Sequence, residues 1–399
     1  MKNTRTVVSV QTVFREVRLF SLRSWMAIWR GVWAYFWAGK RWARVQRWRL
    51  YFFLKIEGVV RAHGRVGEWT EGRLKVLVDG REFFPRLAHL LHRARRSIVI
   101  QMFSWRDDPL GRHIVRLLVE AADRGVMVDI TKETAGDSFE LSRDFYSTRE
   151  NSRGVWQRFW HHPNITVHHE ARNDHTKAFV IDDRLLLGGM NIGEEYQSDW
   201  HDYFVELRSR RFAEGYLAEQ DVFSPRGSVR LVMNATRRGN VRAVFVGLIR
   251  SARKRILLEQ SYFSDPAIAD LLAERSREGL MVTLIVPAKG DVHSFANKDA
   301  IRRLLVRGDP RRIRVLLYPR MLHGKLALVD RRRIFIGSAN VLTSSLDWMG
   351  EANILIERGH PNVLRKLRRV IREDIAQSTL LDKPPYLGVI GKLFAWVGL

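Results

Sequence analysis

Apolar and polar positions alternate along the body of the chain in a way that predicts strands and amphipathic helices in turn. The near-continuous apolar run "SIVIQMFSW" (97–105) is typical of a strand buried on both faces. "GRHIVRLLVEAADRG" (111–125) has the period of a helix that ends at a glycine. "RLKVLVDG" (73–80) predicts a strand that enters a turn. The pattern therefore indicates an α/β protein.

The same pattern occurs twice. "ARRSIVIQMFSW" from residue 94 is matched by "ARKRILLEQSYF" from 252, and "RGVMVDI" from 124 by "EGLMVTL" from 278. Matched segments in the same order indicate an internal duplication. We therefore expect two units related by an approximate two-fold axis, each a mixed, mostly parallel sheet flanked by helices. "FSPRGS" (223–228) is the predicted connector, which divides the body into units at 67–225 and 226–380.

Residues 1–66 differ from the body in charge and in aromatic content. They hold fourteen Lys and Arg residues and two glutamates, a net charge of +12 out of the formal +25 of the whole chain. Tryptophans at every fourth position would form one stripe on a helix, with an arginine among them. These are Trp25, Trp29, Arg30, Trp33 and Trp37. We predict a helical membrane-attachment segment, because tryptophan and arginine favour the headgroup zone.

Two alternatives to interfacial attachment remain for this segment. Its apolar stretch, 24–39, is shorter than the roughly 20 residues that span hydrocarbon, but a re-entrant or spanning hairpin is possible. A helix packed on the protein body is the other alternative. No cleavable signal peptide is evident. The amphipathic tail at 381–399 is either a second interfacial segment or a docked tail.

Two stretches carry the same polar residues at the same spacing. "HTKAFVID" (175–182) and "HGKLALVD" (323–330) both read H-x-K-x4-D, and "GGMN" (188–191) and "GSAN" (337–340) follow them. Alternation along a strand puts each histidine and lysine on one face, and the duplication brings the two half-sites together. The predicted catalytic residues are therefore His175, Lys177, Asp182, Asn191, His323, Lys325, Asp330 and Asn340.

This set of side chains fits phosphodiester chemistry. A neutral imidazole is a competent nucleophile, and a second, protonated imidazole can donate to the leaving oxygen. Lysines neutralise the non-bridging oxygens, asparagine amides add donors, and carboxylates orient the imidazoles. Since the lysines supply positive charge, we expect no metal and no cofactor. The histidines of "HHPNITVHHE" (161–170) suggest a metal site, but adjacent histidines on a strand point to opposite faces.

The doubled motif resembles the phospholipase D superfamily over most of 73–357, and within it the chain is most similar to bacterial cardiolipin synthases of the short type. The resemblance implies a phosphatidyl-histidine intermediate on His175 that a lipid alcohol resolves, with His323 as general acid and base. It also implies a carboxylate about 25–30 residues after each motif histidine. That role maps to Asp202 in "DWHDYFVEL" and to Glu351 in "SSLDWMGEANILI".

The chain departs from the family pattern in three places. The first motif has one residue fewer between its aspartate and the following glycine than the second, which predicts a tighter turn. Gly189 stands where serine is usual and where the second copy has Ser338, which removes one hydroxyl donor; both positions are expected to support the site. Ser344 stands where arginine is frequent, while Ser345 is retained. These departures leave the lipid substrate open.

The resemblance predicts an enzyme that converts two phosphatidylglycerol molecules into cardiolipin and glycerol. The formal charge of +25 predicts an anionic partner, for which a nucleic acid and an anionic membrane surface both qualify. The resemblance implies the phospholipid of the bacterial cell membrane, met by a peripheral or monotopic protein on the cytoplasmic face. Alternatives are a phospholipase D or phosphatidylserine synthase, a nuclease of the superfamily, and a non-catalytic membrane-surface protein. Nucleic acid is less favoured because the charge lies beside tryptophans. The oligomeric state is left open.

Overall fold

A computed structural model describes residues 74–388 apart from 137–144, 146, 151–152, 225–226, 236–237 and 291–292, together with residues 391 and 395. The predicted helical membrane-attachment segment at 1–66, with its tryptophan stripe, lies outside the described residues. So does the end of the chain from residue 389, apart from residues 391 and 395.

The first unit is built on a seven-stranded sheet with helices beside it. Its strands are β1 (Leu74–Val78), β2 (Ser97–Met102), β3 (Met127–Glu133), β4 (Ile165–Glu170), β5 (Lys177–Ile181), β6 (Arg184–Gly188) and β7 (Tyr203–Arg208). Its helices are α1 (Asp79–Arg93), α2 (Pro109–Asp123), α3 (Ser147–Glu150), α4 (Val155–Trp160), α5 (Glu194–Ser198) and α6 (Arg210–Leu217). The strand order is β1-β7-β6-β5-β2-β3-β4, which makes β5 the central strand.

The second unit repeats this plan with a larger sheet. Its strands are β8 (Val222–Phe223), β9 (Val229–Ala235), β10 (Arg238–Gly239), β11 (Arg255–Gln260), β12 (Met281–Pro287), β13 (Ile313–Tyr318), β14 (Lys325–Val329), β15 (Arg333–Gly337), β16 (Glu351–Ile356) and β17 (Thr379–Leu380). Its helices are α7 (Val241–Arg250), α8 (Pro266–Arg277), α9 (Ser294–Arg307), α10 (Thr343–Asp347) and α11 (Pro361–Gln377). The order is β10-β9-β16-β15-β14-β11-β12-β13-β17, with β8 beside β9. The second sheet therefore takes in β8, which lies before the predicted division between residues 225 and 226.

The α/β class and the two mixed sheets are confirmed, but the expectation that the sheets are mostly parallel is wrong. Among the described strands, only β2-β3-β4 and β11-β12-β13 pair in parallel. The remaining ladders are antiparallel. The reason is local: each motif strand turns directly into the next strand, and a short hairpin can only join antiparallel neighbours.

The two hairpins differ as the motif spacing predicts. Two residues connect β5 to β6, whereas three connect β14 to β15. Asp182 adopts a left-handed φ of 53° in the first turn, and Asp330 and Arg331 adopt φ values of 50° and 60° in the second. Aspartate tolerates this region better than most residues. The first turn is therefore the tighter one.

The crossover helices α2 and α8 begin and end with the same residue types in both units. Asp108 and Asp265 are the N-caps, and each accepts a hydrogen bond from the backbone N–H three residues on, at 2.7 and 2.8 Å. A proline follows each cap at the first helical position. Gly125 and Gly279 follow the helices with φ of 87° and 107°, where a side chain would be strained. The duplication therefore extends to the helix termini.

The two sheets pack face to face, and helices cover their outer faces. A shared apolar cluster between the sheets takes residues from both units, such as Val180 and Leu187 from the first and Leu326 and Ile354 from the second. Separate clusters fill the space between each sheet and its outer helices. The units therefore share one core, which fixes their motif strands relative to each other. No helix within the described ranges is both long enough and apolar enough to cross a bilayer.

Candidate active site

The backbones of the two motif histidines are held by the opposite unit. His175 lies just before β5, and its N–H donates to the carbonyl of Gly350 at 2.9 Å. His323 lies just before β14, and its N–H donates to the carbonyl of His201 at 2.7 Å. Isolated bridges between 174 and 350 and between 201 and 322 complete these contacts. The equivalence of the two contacts is what an approximate two-fold relation requires.

The side chains of the histidines are paired across the units as well. Glu351 Oε1 of the second unit lies 3.1 Å from His175 Nδ1, and Asp202 Oδ2 of the first unit lies 2.6 Å from His323 Nδ1. All four side chains are buried. A carboxylate at Nδ1 holds the imidazole orientation and the tautomer, with the ring proton on Nδ1 and the lone pair on Nε2. Each unit therefore supplies the histidine of one pair and the carboxylate of the other.

The two motif lysines lie beside these pairs. Lys177 Nζ donates to the carbonyl of His175 at 2.6 Å, and Lys325 Nζ donates to the carbonyl of His323. Lys325 Nζ is also 3.0 and 3.1 Å from the two ring nitrogens of His323. Burial, with the charge of Lys325, lowers the pKa of Lys177 well below its ordinary value. A ligand with negative charge would favour the charged form of these two buried lysines.

The two histidine–carboxylate pairs differ in proton affinity. Burial and the charge of Lys177 lower the pKa of His175 to about 4. Burial alone would raise the pKa of Glu351, but its interactions with His175 and Lys177 and its bond from Ser338 hold that pKa below its ordinary value. Burial raises the pKa of Asp202 to about 7. At neutral pH the His175 ring is therefore neutral, while the carboxyl group of Asp202 is protonated for part of the time.

Gly189 and Ser338 occupy equivalent positions against the two carboxylates. Ser338 Oγ donates to Glu351 Oε2 and accepts from the N–H of Ala352 at 3.0 Å. A Cβ at position 189 would lie 2.4 Å from Asp202 Oδ1, so glycine lets this carboxylate approach the backbone. The hydroxyl donor expected to be missing in the first unit is therefore missing beside Asp202. Its absence contributes to the different pKa values of the two carboxylates.

The two motif asparagines are both buried, with different contacts. Asn191 Oδ1 accepts from the N–H of Ser104 at 3.1 Å, and Asn191 Nδ2 donates to the hydroxyl of Tyr196 at 2.6 Å. Asn191 therefore anchors the end of β2 and one aromatic ring near the site. Asn340 Oδ1 has no hydrogen-bond partner within the part of the chain that the structure describes.

Asp182 and Asp330 are not in this cluster, contrary to the prediction that grouped them with the imidazoles. They lie in the hairpin turns at the far ends of β5 and β14, five residues from the lysine, or roughly 17 Å along a strand. Asp182 accepts from backbone N–H groups of residues 95–97, and Asp330 from those of 253–255. Both aspartates therefore tie a motif hairpin to the segment that enters the neighbouring strand, β2 or β11. Glu351 and Asp202 orient the imidazoles instead.

Aromatic rings that the sequence motifs did not predict line the site. Phe103 lies 4.9 Å from the His175 ring, measured between ring centroids. Around His323, the corresponding distances are 5.2 Å for Trp200, 5.3 Å for Tyr196 and 6.4 Å for Tyr262. Phe103 lies one residue and Tyr262 two residues after the end of a matched strand, so their place at the strand ends was a usable signal. Both imidazoles therefore lie against aromatic surface.

A buried polar cluster lies behind Asp202 and was also missed. His201 Nδ1 is 2.7 Å from Asp79 Oδ1, and its Nε2 is 2.9 Å from the Tyr203 hydroxyl, which donates to Glu259 Oε2 at 2.5 Å. Asp374 Oδ2 lies 3.4 Å from the same Nε2. Although burial opposes the charge on His201, its bonds to Asp374 and Asp79 raise its pKa well above the ordinary value. This cluster connects both units directly beside the residue that orients His323.

The histidines of 161–169 contact separate groups. His161 Nδ1 is 2.9 Å from the carbonyl of residue 157, and His162 Nε2 is 3.2 Å from a carboxylate oxygen of Asp123. His168 Nε2 is 3.0 Å from Asp129 Oδ2. The three rings therefore bond to different elements.

Comparison with known proteins places the duplicated body in context. A family model described as "Cardiolipin synthase, PLD-like domain" matches residues 87–221 and 245–375. Cardiolipin synthase B of Escherichia coli K12 is 26% identical over 368 residues, which cover 82% of this chain and 88% of that protein. Cardiolipin synthase 2 of Bacillus cereus is 27% identical over 345 residues, which cover 76% and 65%.

Solved structures share the fold at lower identity. Phosphatidylserine synthase from Haemophilus influenzae aligns with a TM-score of 0.68 and 15% identity, covering 86% of this chain and 97% of that one. Polyphosphate kinase from Porphyromonas gingivalis aligns with a TM-score of 0.56 and 16% identity, covering 80% and 50%. At these identities the likeness concerns the fold.

Proposed function

Because the chain belongs to the cardiolipin synthase family of phospholipase D-like proteins, we propose that it is a phosphatidyltransferase that makes cardiolipin and glycerol from two phosphatidylglycerol molecules. The observation that supports this most is the crossed pairing of His175 with Glu351 and His323 with Asp202. It gives one site two imidazoles, each held at Nδ1, whose Nε2 atoms can act on opposite sides of one phosphorus.

In the first half of the reaction His175 Nε2 attacks the phosphorus of a phosphatidylglycerol. The N–P bond forms as the bond from phosphorus to the glycerol oxygen breaks. His175 is suited to attack because its low pKa keeps the ring neutral, and Glu351 holds the proton on Nδ1. The His323–Asp202 pair delivers a proton to the departing glycerol oxygen. Glycerol leaves, and a phosphatidyl-histidine remains.

In the second half the roles of proton donor and acceptor reverse. His323 now lacks a proton and accepts one from the free hydroxyl of a second phosphatidylglycerol. The resulting oxygen attacks phosphorus, the bond to His175 Nε2 breaks, and cardiolipin is released. One phosphodiester replaces another, so no nucleotide is consumed. The two histidines return to their starting protonation states.

The lysines and aromatic rings support this chemistry electrostatically. Lys177 and Lys325 are buried beside the imidazoles, where positive charge stabilises the non-bridging oxygens more strongly than in water. The rings of Trp200, Tyr196 and Tyr262 exclude water around His323 and favour an alcohol that carries acyl chains. A lipid acceptor is therefore preferred to water.

Attachment to anionic phospholipid at the bacterial cell membrane is part of the proposal. The basic, tryptophan-rich residues 1–66 support it, because each Lys or Arg near an anionic surface adds about 1 kcal/mol.

The proposal is tested with purified protein and phosphatidylglycerol vesicles. Equimolar cardiolipin and glycerol are expected from the wild type, and none from His175→Ala. Phosphatidic acid as the main product would mean that water is the acceptor. Phosphatidylserine that forms only when serine is supplied would mean that serine is the acceptor. Undiminished cardiolipin formation by His175→Ala would overturn the proposal.

A further inference from the structure

A groove with an arginine rim lies at the opposite end of the second sheet from the histidines. Its volume is about 750 Å³, and it runs between α11 and the inner faces of β11 to β14. Arg255 and the turn residue Arg331 mark its position, because both lie at the ends of β11 and β14 that are remote from Lys325. The groove is therefore separate from the site where the imidazoles meet.

The rim of the groove is strongly basic. The arginines that line it are Arg255, Arg314, Arg331, Arg365, Arg368 and Arg372, all of them exposed. None of these guanidinium groups pairs with a carboxylate in the described part of the chain. Their bonds go to neutral groups: Arg365 donates to Asn362 Oδ1, Arg368 to the carbonyl of Arg331, and Arg372 to the carbonyl of Arg368.

The floor of the groove is apolar. Leu364 and Ile375 of α11 and Leu257 of β11 are half-buried there, so their side chains are only partly covered by the protein. Among the described residues that line the groove, none is acidic and none is aromatic. A cavity of this size is typical of sites for small molecules.

We propose that this groove binds an anionic phospholipid, with the phosphate on the arginine rim and the upper acyl chain on the apolar floor. Guanidinium groups match phosphate oxygens in geometry and charge, and the bound anion relieves repulsion among the arginines. The apolar floor favours a phospholipid over inorganic phosphate, because inorganic phosphate would leave the floor exposed to water. The absence of aromatic lining argues against a single-stranded nucleic acid, whose bases stack on such rings.

Binding to this groove does not depend on the proposed reaction. The groove would hold the second unit against an anionic bilayer, or retain a lipid that is not turned over. A failure of the groove proposal can therefore be separated from a failure of the proposed function, because the groove is tested by lipid binding and the function by product formation.

The test compares two triple variants of the full chain that remove the same charge. Arg365→Gln, Arg368→Gln and Arg372→Gln alter the rim, whereas Arg116→Gln, Arg250→Gln and Arg302→Gln remove exposed arginines from α2, α7 and α9. Affinity is measured by co-sedimentation with phosphatidylcholine vesicles that contain phosphatidylglycerol. Each rim arginine should contribute about fivefold, so the rim variant should bind on the order of 100-fold more weakly, and the control about as well as wild type. Equal losses in both variants would overturn the proposal.

A second measurement tests the apolar floor with soluble ligands. Short-chain phosphatidylglycerol, below its micelle concentration, should bind the wild type and lose at least tenfold in affinity in Leu364→Trp, which fills the floor without a change in charge. Glycerol 1-phosphate should bind far more weakly than the short-chain lipid. Binding of glycerol 1-phosphate as tight as that of the short-chain lipid would contradict the proposal. So would displacement of the lipid by a single-stranded oligonucleotide, if the rim variant also bound the lipid as tightly as the wild type. Circular dichroism confirms that each variant is folded.

Discussion

Replacement of Glu351 by glutamine tests the pairing between the two units most selectively. Glu351 is completely buried, and its Oε1 lies 3.1 Å from His175 Nδ1. Glutamine has the same shape, so packing is preserved while the negative charge is lost. The amide can also turn its N–H₂ group toward Nδ1. This would place the ring proton on Nε2 and remove the lone pair that attacks phosphorus.

The size of the effect follows from the bond that is weakened. A hydrogen bond to a charged group contributes about 1.5–3 kcal/mol. At about 1.4 kcal/mol per tenfold change in rate, its loss lowers kcat by about 10- to 150-fold, and the wrong tautomer lowers it further. KM should change little, because Glu351 acts through His175 and does not face the lipid directly.

The assay measures initial rates of glycerol release from phosphatidylglycerol vesicles at several lipid concentrations. Glu120→Gln is the matched control, because it makes the same chemical change at an exposed position of α2. Thermal unfolding shows whether both variants are folded. A folded Glu351→Gln protein with kcat within threefold of wild type would refute the role that we assign to the crossed pairs.

Three further predictions concern protons and supporting groups. The pH profile of kcat/KM should fall below pH about 4, where His175 becomes protonated, and above pH about 7, where the Asp202–His323 pair loses its proton; a flat profile across neutral pH would contradict the assigned roles. Ser338→Ala removes a donor from Glu351 and should therefore raise the pKa of this carboxyl and shift the acidic limb upward, as initial rates across pH will show. Asp182→Ala should lower the free energy of unfolding by about 1–3 kcal/mol, measured by urea denaturation, with kcat nearly unchanged.

Much of the fold follows from local patterns along the chain. The apolar runs of β2 and β5 and the matched segments of the second unit predict buried strands and a duplication, since burial on both faces leaves a direct trace in composition. The direction of strand pairing does not leave such a trace. The two- and three-residue turns after β5 and β14 make antiparallel hairpins, and the short spacing between these strands was a sequence signal of that pairing.

The residues of the candidate site likewise divide into those that a sequence pattern indicates and those that only the tertiary structure brings together. His175 and His323 stand out because their motifs repeat, and the family resemblance indicates Asp202 and Glu351. Asp182 was misassigned because spacing along a strand does not say which end of the sheet holds the site. Contacts made only by tertiary structure, such as the crossed pairing of carboxylates and the bond between His201 and Asp79, involve residues more than a hundred positions apart and have no local pattern.

Trapping of the intermediate tests the two-histidine account most directly. Phosphatidyl-p-nitrophenol carries a leaving group that needs no proton. In the His323→Ala protein, His175 should therefore still attack this substrate, but the turnover should not be completed. We expect a burst of about one nitrophenolate per protein molecule and, in mass spectrometry, a phosphatidyl group on His175, with no burst from His175→Ala. A burst of equal size from His175→Ala, or a phosphatidyl group found elsewhere in the chain, would contradict the account.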